Sequence, residues 1–244
     1  MLGKSQAKYI QSLGQKKVRD EKGLFIAEGP KIMAELIAMA KEEIVQLFAV
    51  KEWLLQNEDA CAGIAAMEVS EVELGKISQM STPNKVVATV RKPVHEDIGS
   101  AKGIVSIALD TIQDPGNLGT IIRIADWFNI RHVICSKDCA DVYNPKVVQS
   151  TMGSIMRVQT QYTDLPAWLE DQKDVYIYAA ALEGQNIATT KKITEGIVVI
   201  GNESKGISPE IMKLVDVKIT IPGKGNAESL NAAVATGIIL SHII

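Results

Sequence analysis

The sequence lacks the paired cysteines, metal motifs and long apolar runs that mark several classes of protein. Its three cysteines, Cys61, Cys135 and Cys139, are an odd number without zinc-site spacing, and we interpret them as reduced packing residues. The three histidines are scattered and no HExxH pair occurs, so we expect no protein-bound catalytic metal. No apolar run reaches the roughly 18 residues of a membrane span, and the N-terminus lacks the apolar core of a secretory signal. We therefore expect a soluble, cytoplasmic protein without a membrane partner.

The net charge is slightly negative, which by itself argues against a nucleic-acid partner. The chain carries −3 at pH 7, but residues 1–22 hold six basic and two acidic side chains, a balance of +4 that leaves −7 for the rest. A basic head on an acidic body is compatible with local contacts to phosphate groups. On charge alone, a solvated helix surface explains these side chains equally well. The basic residues of this head are Lys4, Lys8, Lys16, Lys17, Arg19 and Lys22.

The first part of the chain predicts a small α/β domain over residues 1–95. Pro30 can occupy the first position of a helix that runs through Ala40, and Ser70 with Glu73 forms a capping box that predicts another helix start. Residues 96–103 are polar, lack periodicity and contain glycine, so we interpret them as a linker. The other segments expected here are helix 6–13 and strands 24–27, 44–50 and 86–90.

The second part, residues 104–244, predicts an α/β fold with a largely parallel sheet. Its short apolar runs are typical of buried parallel strands, and helical segments separate them. The expected strands are 104–109, 133–135, 175–180, 197–200 and 217–221, and the expected helices are 120–128, 145–154, 165–172, 209–214 and 230–243. The last helix is apolar nearly all round, which favours burial in an inner layer or at a subunit interface.

Three loops that follow strands carry polar residues, and ligands of open α/β sheets bind beyond the carboxyl ends of the strands. The first loop, residues 110–119, contains the turn signal Asp-Pro-Gly-Asn that ends at Asn117. Arg123 follows among isoleucines, and on a helix its side chain leans back toward that loop. Two interpretations of Arg123 stay open: a functional cation, or a surface residue paired with Asp126.

The second and third loops, residues 201–206 and 221–231, bring glycine backbone and hydrogen-bonding side chains after later strands. Glycine allows close backbone approach at Gly201, and the Glu203 carboxylate is suited to hold a ribose hydroxyl or orient a cation. A plain polar crossover loop is the competing interpretation of this segment. In the third loop, Ser229 or Asn226 can serve as an ordinary helix N-cap. The second loop is not a GxGxxG phosphate loop and the first βα turn has none, so a dinucleotide site is poorly supported.

Taken in order, these loops resemble the three motifs of the SpoU/TrmH family in the SPOUT methyltransferase superfamily. The matching patterns are Asn117-x-Gly-x-x-x-Arg123-x-Ala125, Gly201-x-Glu203-x-x-Gly206, and Ile221-Pro222 followed by Glu228-Ser229-Leu230-Asn231. Residues 23–30 are similar to the start of the family's RNA-binding domain. Two departures stand out. Asn129 replaces a frequent glycine, and Thr151 stands beside Ser150 in the place of the serine of a Ser-x-Gly segment.

The resemblance implies a fold, a cofactor and partners. The fold is a mostly parallel sheet with helices on both faces and a trefoil knot, preceded by a small α/β sandwich that resembles a ribosomal protein. The cofactor is S-adenosylmethionine, and Gly201, Ile221 and Leu230 would line its pocket with Leu182 nearby. The partners are structured RNA, ribosomal or transfer, and a second copy of the chain in a homodimer whose interface lies near the active site.

The activity that the resemblance implies is methyl transfer to a ribose 2′-hydroxyl. The residues it assigns to this reaction are Asn117, Arg123, Glu203, Ser229 and Asn231. Because a guanidinium stays protonated below a pH of about 12, we expect Arg123 to bind phosphate and stabilise a developing alkoxide rather than act as a simple base. Two alternatives stay open: a knotted methyltransferase that modifies a base nitrogen, and a non-catalytic RNA-binding protein.

Overall fold

The computed structural model describes residues 2–244, and its internal contacts divide the chain into two compact units. Unit 1 comprises the residues up to Val94 and the later segment Asp141–Met156, whereas unit 2 comprises His95–Ala140 and Arg157–Ile244. The segment Asp141–Met156 therefore packs within unit 1, although the sequence places it in the second domain. The domain boundaries inferred from the sequence stay a prediction, because compact packing units and functional domains need not coincide.

Unit 1 contains a mixed four-stranded sheet whose strand order is β1-β4-β2-β3. Strand β4 pairs antiparallel with β1 and β2, and β3 pairs parallel with β2. The strands are β1 (Leu24–Glu28), β2 (Ile44–Ala49), β3 (Ala66–Glu68) and β4 (Val86–Arg91). The helices in this part of the chain are α1 (Lys4–Ser12), α2 (Lys16–Lys22), α3 (Pro30–Met39), α4 (Lys51–Gln56), α5 (Glu58–Cys61) and α6 (Glu71–Ile77).

The sheet of unit 1 is covered on both faces, which confirms the sandwich that the resemblance implies. Ile26, Phe48 and Val87 join residues of α1 and α6 in one buried cluster. Alternate strand residues point to the opposite face, where α3 packs against β1 and β4. The start of α6 confirms the predicted capping box: Ser70 Oγ accepts a hydrogen bond from the Glu73 amide, and the Glu73 carboxylate accepts one from the Ser70 amide.

Unit 2 is built on a six-stranded sheet with the order β10-β8-β9-β5-β6-β7, and every pair is parallel. Its strands are β5 (Val105–Leu109), β6 (His132–Ser136), β7 (Gln159–Thr163), β8 (Ile177–Asn186), β9 (Gly196–Ile200) and β10 (Val217–Thr220). Its helices are α7 (Pro115–Trp127), α9 (Leu165–Glu170), α10 (Pro209–Met212) and α11 (Ala232–Ile243), and α8 (Pro145–Thr151) belongs to unit 1.

Helices cover both faces of this sheet, as predicted. Ala108, Ile134 and Val199 lie in one buried cluster with residues of α9 and α10. The alternate residues of β5 and β9 are equally buried, and α7 and α11, which pack against each other, remain to cover that face. Because all the strands run the same way, the loops after β5, β8, β9 and β10 leave the same edge of the sheet. The trefoil knot that the resemblance implies stays a prediction.

Two elements of unit 2 differ from the sequence expectation. Helix α7 begins at Pro115 rather than Thr120, because Asp114 caps it and Pro115 fits its first position. Asn117 therefore lies inside the helix and not in the preceding loop. Strand β7 was not predicted because its residues are polar and half-buried at the sheet edge, so they form no apolar run. Asn129, at the end of α7, has a left-handed φ of 55°, which asparagine tolerates and which glycine adopts freely.

The predicted linker is docked along unit 2 and is not a free spacer. Ile98 and Ala101 are buried in the core cluster of that unit. The side-chain amide of Gln172 donates to the Gly99 carbonyl and accepts a hydrogen bond from the backbone amide of Ala101. Trp168 Nε1 donates to the Ile98 carbonyl. Periodicity did not indicate this docking, because irregular backbone held by side chains has no repeating pattern. Across residues 2–244, no helix is both long enough and apolar enough to span a bilayer.

Candidate functional site

A large cavity lies at the carboxyl edge of the unit 2 sheet. Its volume is about 1130 Å³, and its walls come from the segments after β8, β9 and β10 together with part of α11. All four residues expected to line a cofactor pocket contribute to it: Leu182, Gly201, Ile221 and Leu230. Glu203 and Ser229 also line the cavity, whereas Asn117, Arg123 and Asn231 do not belong to its walls.

A chain of hydrogen bonds joins one residue from each of the three motifs. Asn231 Nδ2 donates to Asn117 Oδ1 over 2.8 Å, and Asn117 Nδ2 donates to Glu203 Oε1 over 2.5 Å. The second bond has a charged acceptor, which makes it the stronger of the two. We call these three side chains the amide chain. Because the Glu203 carboxylate can only accept hydrogen bonds, the donor and the acceptor of each bond in this series are fixed.

Local structure at the start of α7 leaves the Asn117 side chain available for this chain of bonds. The Asp114 carboxylate accepts a hydrogen bond from the Asn117 backbone amide over 2.8 Å, so the cap occupies the main chain and not the side chain. Gly116 leaves room for this cap, since a Cβ there would lie 2.9 Å from the capping oxygen and would push the Asp114 carboxylate aside. The Asp-Pro-Gly-Asn signal therefore encodes a helix start that presents an amide toward the cavity loops.

Asn231 also caps the start of α11, a role that we expected for Ser229 or Asn226. Its Oδ1 accepts from the backbone amides of Ala233 and Val234, which makes Asn231 the N-cap of α11. The expectation that Ser229 or Asn226 caps this helix was wrong, because α11 begins at Ala232 and both residues lie upstream of the cap. Ser229 instead faces the cavity from an exposed loop.

Arg123 stands apart from the amide chain. It lies on the exposed face of α7 and has no hydrogen bond or ion pair within residues 2–244. The alternative in which Arg123 pairs with Asp126 is not observed; Arg157 Nε occupies that carboxylate over 2.8 Å. The structure therefore leaves the Arg123 guanidinium open, and it does not bond to Asn117.

Gly201 is required by its own loop. A Cβ at this position would lie 2.4 Å from the Gly206 carbonyl carbon and 2.5 Å from the Ile207 amide nitrogen. Asn202 and Gly206 exchange two backbone hydrogen bonds of 3.0 and 2.9 Å, which draw the two ends of the loop together. The backbone that approaches this glycine closely is that of the same loop, and an approach of Gly201 to the cofactor stays a prediction.

The hydroxyls of the segment around Thr151 are both engaged locally in unit 1. Thr151 is fully buried and its Oγ1 donates to the Val148 carbonyl over 2.7 Å, whereas Ser150 Oγ donates to the Lys146 carbonyl over 2.9 Å. Gly153 has a left-handed φ of 96°, and a Cβ there would lie 2.7 Å from Glu35 Cβ. The glycine thus permits close packing of this segment against α3, and Thr151 has no surface to offer a ligand.

The basic head divides into engaged and open side chains. Arg19 is buried, donates to the carbonyls of Leu13 and Gly14, and pairs with Asp141 over 2.5 Å. Lys16 pairs with Asp20, and hydrogen bonds from Lys16 and Lys92 hold the pKa of that carboxyl below its usual value. Lys22 pairs with Glu21. Within residues 2–244 no ion pair engages the three exposed side chains that remain, Lys4, Lys8 and Lys17.

Sequence reasoning missed the contacts that fix the loops to one another. Asp110 is buried and accepts hydrogen bonds from the Ser208 amide and the Thr111 hydroxyl. Asn202 donates to the Thr111 carbonyl. The position of Asp110 at the end of a buried strand was a usable signal, whereas the left-handed φ of Thr111 had none, because threonine rarely adopts it.

Comparison with known proteins gives matches over nearly the whole chain. Residues 104–241 match the SpoU rRNA Methylase family, and residues 4–88 match the MRM3-like substrate binding domain. The 23S rRNA (guanosine(2553)-2′-O)-methyltransferase RlmP of Bacillus subtilis is 31% identical over 96% of this chain and 93% of its own. A putative RNA methyltransferase of the TrmH family from Porphyromonas gingivalis has a TM-score of 0.83, with 34% identity over 99% of this chain and 98% of its own. An AdoMet-bound rRNA methyltransferase from Sinorhizobium meliloti has a TM-score of 0.85, with 30% identity over 100% of this chain and 96% of its own.

Proposed function

Because the chain belongs to the SpoU rRNA methylase family, we propose that it transfers a methyl group from S-adenosylmethionine to a ribose 2′-hydroxyl of structured RNA, ribosomal or transfer. The observation that carries this proposal is the cavity of about 1130 Å³, whose walls include all four expected cofactor residues and the Glu203 end of the amide chain. The RlmP match, which extends over both units, supports a ribose substrate.

The cavity walls fit S-adenosylmethionine in size and chemistry. Leu182 is 77% exposed and Leu230 is 45% exposed, and large apolar side chains left open at a concave site favour an aromatic ring such as adenine. The loops 201–206 and 221–225 supply backbone amides and carbonyls beside them. The bound cofactor supplies a methyl group already activated on a sulfonium sulfur.

The task of the protein is then to hold the ribose hydroxyl in line with that methyl and to weaken its O–H bond. Arg123 is suited to the second part, because its guanidinium is open to solvent and stays protonated at neutral pH. It binds the phosphate next to the target ribose and stabilises the negative charge that develops on the 2′-oxygen.

The amide chain positions the nucleotide. Glu203 holds the Asn117 amide through a charge-assisted hydrogen bond, and Asn117 is held in turn by Asn231 from the start of α11. Groups fixed in this way need little reorganisation when the substrate arrives. Ser229, exposed beside the cavity, donates a hydrogen bond to the nucleotide from its unpaired hydroxyl.

Unit 1 provides the RNA-binding surface, which the match to a substrate-binding domain supports. The homodimer that the resemblance implies is supported by apolar side chains left open on two packed helices, Trp127 on α7 and Val234 on α11. Sedimentation velocity of the full chain tests this assembly, and replacement of Val234 by Glu should produce monomers. The cytoplasmic location expected from the sequence stays part of the proposal, and ribosomal or transfer RNA as the substrate is compatible with it.

Cofactor binding and product identity test the proposed function. Leu182→Ser should weaken S-adenosylmethionine binding by about ten-fold, since it removes most of the burial energy of one leucine. The matched control is Leu55→Ser, which changes another exposed leucine, on α4 in unit 1, and should leave the affinity unchanged. Calorimetry on the full chain measures the affinity of both variants for S-adenosylmethionine. Equal affinities would show that the cofactor does not bind against the Leu182 side of the cavity.

The product decides between the reactions. The full chain is incubated with S-adenosylmethionine and unmodified ribosomal or transfer RNA, and nucleosides are then identified by mass spectrometry. A 2′-O-methylated nucleoside is the expected result. A methyl on a base nitrogen would replace the ribose assignment, and the absence of both cofactor binding and methyl transfer would indicate a non-catalytic RNA-binding protein.

A further inference from the structure

A hydrogen bond joins the loop after β5 to the loop after β9. Neither of its two residues is among those assigned to catalysis. Asn202 Nδ2 donates to the carbonyl oxygen of Thr111 over 2.9 Å. We propose that Thr111 and Asn202 form a positioning pair for the methyl-transfer site, which fixes the Glu203 carboxylate relative to Asn117. Neither residue of the pair has to touch the substrate for this role.

Thr111 is held in a conformation that its side chain disfavours. Its φ is 59°, in the left-handed region, where a β-branched residue is a genuine outlier and is strained. Three hydrogen bonds hold it there. The amide donates to Ser136 Oγ over 2.9 Å, the hydroxyl donates to Asp110 Oδ1 over 3.0 Å, and the carbonyl accepts from Asn202.

Asn202 uses every polar atom that it has. Its Oδ1 accepts from the amides of Ser204 and Lys205 over 2.9 and 3.1 Å, which folds the loop around the side chain. Its backbone amide and carbonyl pair with Gly206. The remaining group, Nδ2, reaches the Thr111 carbonyl. One side chain therefore both shapes the second loop and ties it to the first.

The geometry of the active residues follows from this tie. Glu203 is the next residue after Asn202, and Asn117 lies in the first turn of α7, which begins shortly after Thr111. A shift of the second loop against the first therefore changes the Glu203–Asn117 distance directly. A misplacement of about 1 Å at such a site can reduce turnover by about 100-fold.

The test, which rests on the proposed function, separates the shape of the loop from the tie. Asn202→Asp keeps an acceptor for the Ser204 and Lys205 amides but replaces the donor that faces the Thr111 carbonyl with an oxygen. We expect kcat to fall by about ten-fold or more, while S-adenosylmethionine binding and KM for RNA change little. Asn186→Ala is the matched control, because Asn186 also caps its own local turn, in unit 2. It should lower the melting temperature without changing kcat.

A double-mutant cycle with Thr111→Gly tests the pairing itself. Glycine adopts the left-handed conformation without strain, so the loop no longer needs the Asn202 donor to hold it. The loss in kcat caused by Asn202→Asp should therefore be smaller in the Thr111→Gly background, whereas the loss in melting temperature should be at least as large, because no strained residue is left to relax when the donor is removed. Equal losses of kcat in both backgrounds, or full kcat in Asn202→Asp, would overturn the positioning pair. Failure of the proposed function looks different, since the wild-type chain would then methylate no RNA; the melting-temperature cycle would still report the Thr111–Asn202 contact, but its positioning role would fall with the proposed function.

Discussion

Asn117 of the amide chain and Arg123 both lie on helix α7, but their polar groups differ in what they contact. Asn117, in the first turn, is bonded on both sides of its amide. Arg123, further along the helix, has no partner within residues 2–244. The difference separates groups whose positions are set by the fold from a group that is left to bind a ligand. It predicts that the two kinds of residue will respond differently to substitution.

The basic head shows the same difference in unit 1. Arg19 holds the segment around Asp141 through an ion pair, so its charge is neutralised within the protein. Lys4, Lys8 and Lys17 are exposed and have no ion pair within the described residues. The net charge of +4 therefore overstates the positive charge that is available to RNA. That charge lies on the three lysines without an ion pair.

The largest effect is expected at Arg123, which represents the open kind of residue. Arg123→Ala should lower single-turnover methylation by about 100-fold or more, as removal of one transition-state donor can. Cofactor affinity and melting temperature should barely change, because no hydrogen bond or ion pair within residues 2–244 is lost. Arg123→Lys should retain partial activity if charge is what matters, and none beyond Ala if the planar fork is required.

Arg131→Ala serves as the control for Arg123→Ala. Arg131 is another exposed arginine of unit 2, and it lies outside the three motifs and the cavity. Its loss should leave turnover unchanged at saturating RNA and cofactor. Near-normal turnover by Arg123→Ala under those conditions would remove Arg123 from the mechanism and leave the amide chain to explain catalysis.

An intermediate effect is expected at Asn231, which represents the fixed kind. Asn231→Ala removes the N-cap of α11 and should cost about 1 kcal/mol of the free energy of unfolding, in addition to lost activity. Asn231→Asp keeps the capping oxygen but loses the donor to Asn117. It should retain stability, because a carboxylate at a helix N-terminus is favourable, and still lose about ten-fold in turnover.

Denaturant titration and single-turnover kinetics of the two Asn231 variants separate these roles. The control is Asn144→Asp, which places a carboxylate at the N-cap of α8, where Asn144 accepts from the Lys146 amide. Full activity in Asn231→Asp would show that the bond to Asn117 has no part in the reaction. The amide chain would then be only a structural link between α7 and α11.

Much of the fold could be predicted because buried parallel strands leave continuous apolar runs and amphipathic helices leave periodic ones. The strands from Val105 to Thr220 confirm the predicted parallel sheet, apart from the polar edge strand Gln159–Thr163. Helix starts were less predictable. Asp114 caps α7 through a turn signal that was interpreted as a loop, because the same residues favour turns and N-caps.

The sequence named residues that the structure brings to the cavity, such as Glu203 and Ser229, but not the contacts between them, and the catalytic roles stay predictions. The motif spacing identified Glu203 and Asn117, yet the sequence does not state which amide bonds to which carboxylate. The Thr111–Asn202 contact was beyond prediction, since it depends on a strained backbone and a loop fold that only the packed structure fixes. All six basic residues of the head were visible in the sequence, but the ion pairs that three of them form with Asp20, Glu21 and Asp141 were not.

The smallest effect is expected in the head, where the open lysines are compared with paired ones. Replacing Lys4, Lys8 and Lys17 together by Ala should reduce RNA affinity and lower the slope of affinity against salt by about one for each lysine that contacts a phosphate.

The matched variant replaces Lys16, Lys22 and Lys85, whose partners are Asp20, Glu21 and Glu52. Both variants change the net charge equally, so a general field effect would move both slopes alike. Exposed pairs contribute at most about 1 kcal/mol, so the paired set should lose little stability, and its salt slope should change less. Equal slopes for the two variants, measured by filter binding over a range of salt, would show that open and paired lysines are equivalent toward RNA and that the distinction drawn here does not extend to unit 1.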